Sequence, residues 1–196
     1  MKKKNFLIAV ALFIGMTSFA QTQKGYYIIG AQLASMDLNF QKGNTDFGLT
    51  LQPQVAWFVK DNLAIGGQVL LGVNTSKGFS QFTYGIGALG RYYMADKATQ
   101  ISSKTRFFLE ATAGINGSNT KVTGYPSTNT NGLGVGFGPG LAYFINQNIA
   151  LEGLVKYNLG VGFGNSTTTN NIHFNLGFSI HLPGSKLKDM KTDMKK

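Results

Sequence analysis

From Tyr27 to Leu182 the chain repeats one pattern: large apolar residues at every second position, in runs of about 10–13 residues separated by stretches rich in Gly, Asn, Ser and Thr. A period of two sends successive side chains to opposite faces of an extended strand, so each run reads as a β-strand with one apolar face. In the clearest run, Leu49, Leu51, Pro53, Val55, Trp57 and Val59 share one face against Thr50, Gln52, Gln54, Ala56 and Phe58. After a break at Lys60, Asp61 and Asn62, the pattern resumes with Leu63, Ile65, Gly67, Val69, Leu71 and Val73. Further segments lie near 25–38, 80–94, 105–115, 132–144, 149–162 and 171–182, and helical periodicity is nearly absent after residue 21. The expected fold is all-β, with eight antiparallel strands in up-and-down order.

Short links at 60–62, 95–104 and 145–148 interleave with more polar ones at 39–46, 75–79, 116–131 and 163–170. Membrane barrels alternate short turns at one rim with longer loops at the other. A soluble barrel also alternates, but turns its apolar face inward around a ligand. The second face decides between them. Here it carries Gly, Ala, Gln, Asn and a few charges, which suit the crowded interior of a narrow barrel and make a poor water-facing exterior. With the large apolar face turned to lipid, no sheet edge can stay open, so the strands must close into a transmembrane barrel. Outward-facing members among Tyr26, Tyr27, Trp57, Tyr84, Tyr92, Tyr93, Tyr143 and Tyr157 are candidates for the interfacial aromatic girdles. Pro53 and Pro139 lack an amide donor, and each predicts a bulge or a missing ladder bond.

The same parity points Arg91, Arg106, Glu110, Glu152 and Lys156 into the lumen. Isolated charges there are costly, so Glu110 and Glu152 are expected to bridge the basic residues in an internal network. Such a network blocks free flow, or, in the competing reading, lines a very narrow ion path. His173 and His181 are about 26 Å apart along one strand at about 3.3 Å per residue, too far to chelate one metal. His173 reads as an interior hydrogen-bonding residue and His181 as a rim residue. Ser76 and Ser80 are nominal nucleophiles, but no serine sits in a nucleophile-elbow context. The run Gly132, Gly134, Gly136, Gly138, Gly140 lacks the Gly-Lys-Ser/Thr and following helix of a phosphate loop, and instead makes room inside the barrel. No catalytic, cofactor-binding or metal-binding set is expected.

At the N-terminus, Lys2, Lys3 and Lys4 precede an apolar run from Phe6 to Met16 and a small-x-small end at Ser18 and Ala20. This is the form of a secretory signal peptide over residues 1–20, too short for a spanning helix. Residues 21–182 then form the barrel, and 183–196 a basic tail on the periplasmic side. The net charge of +10 falls to +7 without the signal lysines, and five lysines in 186–196 account for much of the rest. No basic helix or aromatic-basic interleaving accompanies them, so nucleic acid is not an expected partner. The chain has no cysteine, which removes disulfides, thiol chemistry and a lipidated N-terminal cysteine.

The chain over residues 22–182 resembles the outer-membrane β-barrel domain family, the small eight-stranded group that includes OmpA- and OmpX-like proteins of Gram-negative bacteria. Members commonly close with a signal of the form polar-x-Gly-x-x-apolar-x-apolar, read by the barrel assembly machinery, and Asn175, Gly177, Ile180 and Leu182 match it. The chain departs from the family in continuing past this strand into a basic tail. The resemblance implies an outer-membrane location among outer-membrane lipids, no cofactor, and roles in envelope integrity, adhesion or surface interaction. The expected function is a non-enzymatic structural or surface-interaction barrel, with the polar loop 116–131 as the candidate contact for an extracellular partner. The alternatives are a narrow ion-conducting pore and a soluble periplasmic ligand-binding barrel.

Overall fold

The computed structural model describes residues 20–41, 44–94, 104–163 and 168–185. Apart from Ala20, the expected signal peptide lies outside the described residues. So do most of the link at 95–104 and the tail beyond Ser185. A short 3-10 turn at Ala20–Thr22 leads into β1 (Tyr26–Gln41), β2 (Asn44–Lys60), β3 (Leu63–Ser76) and β4 (Phe79–Tyr93). These are followed by β5 (Thr105–Val122), β6 (Thr128–Phe144), β7 (Ile149–Gly162) and β8 (Thr168–Pro183). Every strand is antiparallel to its neighbours, and β1 pairs with β8 from Tyr26↔Pro183 to Leu33↔Leu176, closing the barrel.

The strands run further than the alternation suggested. Residues 116–131 are not a loop: Asn116 pairs with Gly132, Asn119 with Asn129 and Thr120 with Thr128, leaving only 123–127 as the tip of a long hairpin. Pairing likewise enters 39–46 through Asn39↔Asp46, and 75–79 through Ser76↔Phe79. Lys77 and Gly78 make the latter turn, with Gly78 at φ +76°, a conformation open to glycine. Beyond the bilayer both strand faces meet water, so ladder hydrogen bonds persist where hydrophobic alternation stops.

The two prolines leave the marks expected of a missing donor. Pairing of β2 with β3 skips from Leu51↔Leu71 to Gln54↔Gln68, and pairing of β6 with β7 skips from Phe137↔Tyr157 to Gly140↔Leu154. Each gap contains the proline, which keeps its register on the other side, at Ala31↔Pro53 and Leu109↔Pro139. A register shift between Leu33 and Ser35 changes the phase of β1, so that Leu33 is followed by Met36, 57% exposed, as the next large outward residue.

Large apolar residues face outward all round the barrel, among them Val55, Val69, Ile86, Leu109, Val135, Leu151 and Phe174. On β8 the belt runs from Ile172 to Leu182, about 33 Å of strand and about 25 Å of height at a tilt of about 40°. Trp57, Tyr92 and Tyr143 stand exposed near the rim that bears both described chain ends, here the terminal rim. Toward the opposite, loop rim, the Tyr84 hydroxyl donates to Asn131 at 2.8 Å and that of Tyr157 to Asn170 at 2.7 Å. Each ring thus offers lipid an apolar body and water a polar tip. Tyr93 does not join a girdle; it is fully buried in the lumen.

Candidate functional site

Interior residues form layers, and the layer nearest the terminal rim is aromatic. Phe58, Tyr93, Phe108 and Phe144 point inward with Ile28, Leu89 and Leu154, all 3% exposed or less. The lumen is therefore filled here by large rings and not only by the small side chains expected of that face. Gly140 makes space for one of them, since a Cβ there would collide with the Phe108 ring. His181, two residues from the end of β8, belongs to this rim-side layer but is fully buried, with its ring centroid 5.1 Å from Phe144 and 5.9 Å from both Phe58 and Tyr93. Its Nδ1 lies 2.8 Å from the Gln21 carbonyl oxygen, which can only accept, so Nδ1 carries a proton.

The N-terminal segment covers this layer. The Thr22 hydroxyl donates to Asn62 Oδ1 at 2.7 Å, Asn62 N donates to the Thr22 carbonyl at 2.7 Å, and Lys24 N donates to Asp61 Oδ1 at 2.8 Å. Asn62 holds the β2–β3 turn in a left-handed conformation, φ 64°, and its own carbonyl accepts from Tyr93 N. The turn is thereby tied to the segment beneath the lumen and to β4.

The charged residues form the next layer. Arg91 donates from Nη2 to Glu110 Oε2 at 2.5 Å and from Nη1 to both oxygens of Glu152 at 2.8 and 3.0 Å. Lys156 Nζ reaches Glu110 Oε1 at 3.2 Å. All four residues are 4% exposed or less, and two positive charges meet two negative ones. Arg91 also joins this layer to the aromatic one, with its guanidinium carbon 4.3 Å from the centroid of the Phe108 ring and Nη1 donating to the Tyr93 hydroxyl at 3.1 Å. Arg106 lies nearer the terminal rim, 5% exposed, donating to the Thr105 carbonyl at 3.0 Å.

Facing the charges across the lumen is a belt of amides that parity alone did not single out. Asn175 Nδ2 donates to Gln32 Oε1 at 3.2 Å, and Gln32 Nε2 contacts Gln54 Oε1 at 3.4 Å and Glu110 Oε2 at 3.3 Å. Gln54 is register partner of Gln68. Of the closing-signal residues, Asn175 is thus interior, Gly177 opposes Gln32 on β1 and Glu152 on β7, and Ile180 and Leu182 lie opposite Ile29 and Tyr27. His173, opposite Lys156 on β7, is exposed to the loop-side lumen.

One arrangement invites a catalytic reading. Ser179 Oγ lies 3.2 Å from His181 Nε2 and 2.5 Å from Glu152 Oε1. The carboxylate, however, bonds the serine and not the imidazole, whose Nδ1 faces Gln21. Both Ser179 and His181 are 0% exposed, so no substrate reaches the hydroxyl. Ser76 and Ser80 belong to the β3–β4 hairpin at the loop rim. Among the described residues no group of three or more His, Asp or Glu is placed to hold a metal.

Residues 6–181 match the family described as outer membrane protein beta-barrel domain. Among solved structures, Neisserial surface protein A aligns over 82% of this chain and 97% of its own, with a TM-score of 0.56 at 18% identity. Ail of Yersinia pestis covers 82% of this chain and 100% of its own, with a TM-score of 0.48 at 12% identity. The N-terminal barrel domain of Pseudomonas aeruginosa OprF covers 81% and 98%, with a TM-score of 0.46 at 12% identity. At such identities the likeness concerns the fold. No curated protein sequence matches the chain.

Proposed function

We propose that this chain, which belongs to the outer membrane protein β-barrel domain family and resides in the outer membrane, acts there as a non-enzymatic barrel with a structural or surface-interaction role. The observation that carries the reading is the double closure of the lumen by a neutralised charge layer and an aromatic layer with the Thr22 segment beneath it. In this reading the cross-section spanned by Arg91, Glu110, Glu152 and Lys156 leaves a solute no continuous water path. In this reading the terminal rim faces the periplasm, with the basic tail 183–196 on that side. The loop rim then faces outward, and the β5–β6 hairpin carries its Asn, Ser and Thr side chains into the medium. That hairpin, spanning the 116–131 segment, is the surface offered to an extracellular partner. Asn175, Gly177, Ile180 and Leu182 are the segment offered to the barrel assembly machinery.

Reconstitution in planar bilayers tests the reading. Little or no steady conductance is expected, and reproducible open channels at low voltage would favour a narrow ion-conducting pore. One observation supports that second reading: the loop-side lumen is open down to Lys156. A pore predicts that Glu152→Gln or Arg106→Gln alters conductance or selectivity, and unchanged currents in both variants remove those residues from any ion path.

A further inference from the structure

Above the charge layer the barrel is hollow. A cavity of about 320 Å³ opens toward the loop rim, at the lower end of the range of small-molecule sites, about 300–1,000 Å³. Gly134, Gly136 and Gly160 keep it empty: a Cβ on Gly136 would meet Asn158 Oδ1 and lie 2.9 Å from Thr112 Oγ1, and one on Gly160 would lie 2.7 Å from Thr169 Oγ1. Hydroxyls and amides therefore converge on the space from several strands, including Thr50, Thr83, Asn116 and Asn171.

The chemistry of the floor narrows the ligand. Lys156 and His173 are the basic side chains lining the cavity, no carboxylate lines it, and the Lys156 charge is met by Glu110 at 3.2 Å within the balanced four-residue layer, so the floor offers an ion no unpaired ammonium or carboxylate. No Phe, Tyr or Trp lines it, and the aliphatic surface of Leu70, Val135 and Leu159 is interspersed with hydroxyls and amides, a mixture that suits a ligand with C–H as well as O–H groups. Three buried polar atoms find no partner among the described residues, the acceptors Asn175 Oδ1 and Gln68 Oε1, whose side chains line the cavity, and the donor Gln54 Nε2 beside Gln68; Asn175 as a whole is 1% exposed. An unsatisfied buried acceptor calls for a donor. A ligand that brings several donors, carries no charge and accepts bonds from Thr and Asn in return is an alcohol with many hydroxyls.

We propose that this cup binds a small, neutral, polyhydroxylated molecule of monosaccharide or polyol size, with hydroxyls donating to Asn175 Oδ1 and Gln68 Oε1. The site does not depend on the answer about conductance, because its floor is the charge layer itself and the cup exists whether or not ions pass below it. The test is an NMR titration of the full barrel in lipid nanodiscs with D-glucose and myo-inositol, reading the side-chain amides of Asn158 and Asn171. Saturable shifts are expected with at least one probe in wild type. They should weaken about tenfold in Asn175→Leu, the effect of losing one buried hydrogen bond, and vanish in Thr83→Trp, which fills the cup. Shifts that stay linear in wild type with both probes, or that persist unchanged in a folded Thr83→Trp, overturn the proposal. Equal saturation by sodium phosphate overturns the neutral class of ligand.

Discussion

Arg91 on β4 and Glu152 on β7 share no ladder, yet they meet across the lumen with Nη1 at 2.8 and 3.0 Å from the two carboxylate oxygens. The contact is a chord of the barrel rather than a rung of the sheet. Together with Arg91–Glu110 and Lys156–Glu110 it braces the cross-section from within. A buried pair of this kind contributes little net stability against a well-packed apolar replacement, but a single broken partner leaves an uncompensated charge.

Arg91→Met is accordingly expected to destabilise the barrel by about 3–5 kcal/mol. Replacing Arg91, Glu110, Glu152 and Lys156 together by Met and Leu should cost less than that single change. Urea unfolding in lipid vesicles measures both. A quadruple variant weaker than Arg91→Met would mean that the network stabilises by more than mutual neutralisation.

The glycines separate by the face they serve. A Cβ on Gly138 would enter the Val155 carbonyl, whereas one on Gly153, on the outer face, meets nothing closer than 3.9 Å. Gly138→Ala should therefore cost about 1–3 kcal/mol or more by overpacking, and Gly153→Ala should stay within about 0.5 kcal/mol of wild type. The same unfolding measurement compares them.

Lipid contact should depend on depth. Ile86, 68% exposed at the middle of β4, is expected to lose about 2–4 kcal/mol on change to Arg, while Ser80→Arg near the loop rim should cost about 0–1 kcal/mol. Equal costs at both positions would place the bilayer elsewhere on the barrel.

Much of this architecture was legible because alternation reports directly on the contrast between lipid and lumen. Strand number, the outward face and the awkwardness of Pro53 and Pro139 followed from it. Alternation is silent where both faces meet water, which is why the hairpin through Asn119 and Asn129 read as a loop. Parity also assigns a face without assigning height or reach, so it put Arg91 and Glu152 inside without saying that they touch. The aromatic layer had a signal in Phe58, Phe108 and Phe144 at inward positions. Its joining to His181 and Gln21 depends on contacts 160 residues apart in sequence, which no local pattern carries.

The closing strand offers a separation of recognition from folding. Ile180→Ser with Leu182→Ser is expected to reduce the amount of barrel assembled in cells. Refolding of the purified variant into detergent should be much less affected, because both residues face outward and leave the Asn175 and Glu152 contacts in place. Equal losses in both assays would assign these residues to stability alone.

The absence of native cysteine permits the most direct test of a barrel open at the loop rim and sealed at the terminal one. Single cysteines at Ala34 and Asn171 in the cup, and at Ala64 and Ala142 in the sealed half, can be exposed in bilayers to a membrane-impermeant, water-soluble thiol reagent. The cup positions should react from the loop side, and Ala64→Cys and Ala142→Cys should resist the reagent from both sides. Rapid labelling at Ala142→Cys in a folded barrel would contradict the double closure.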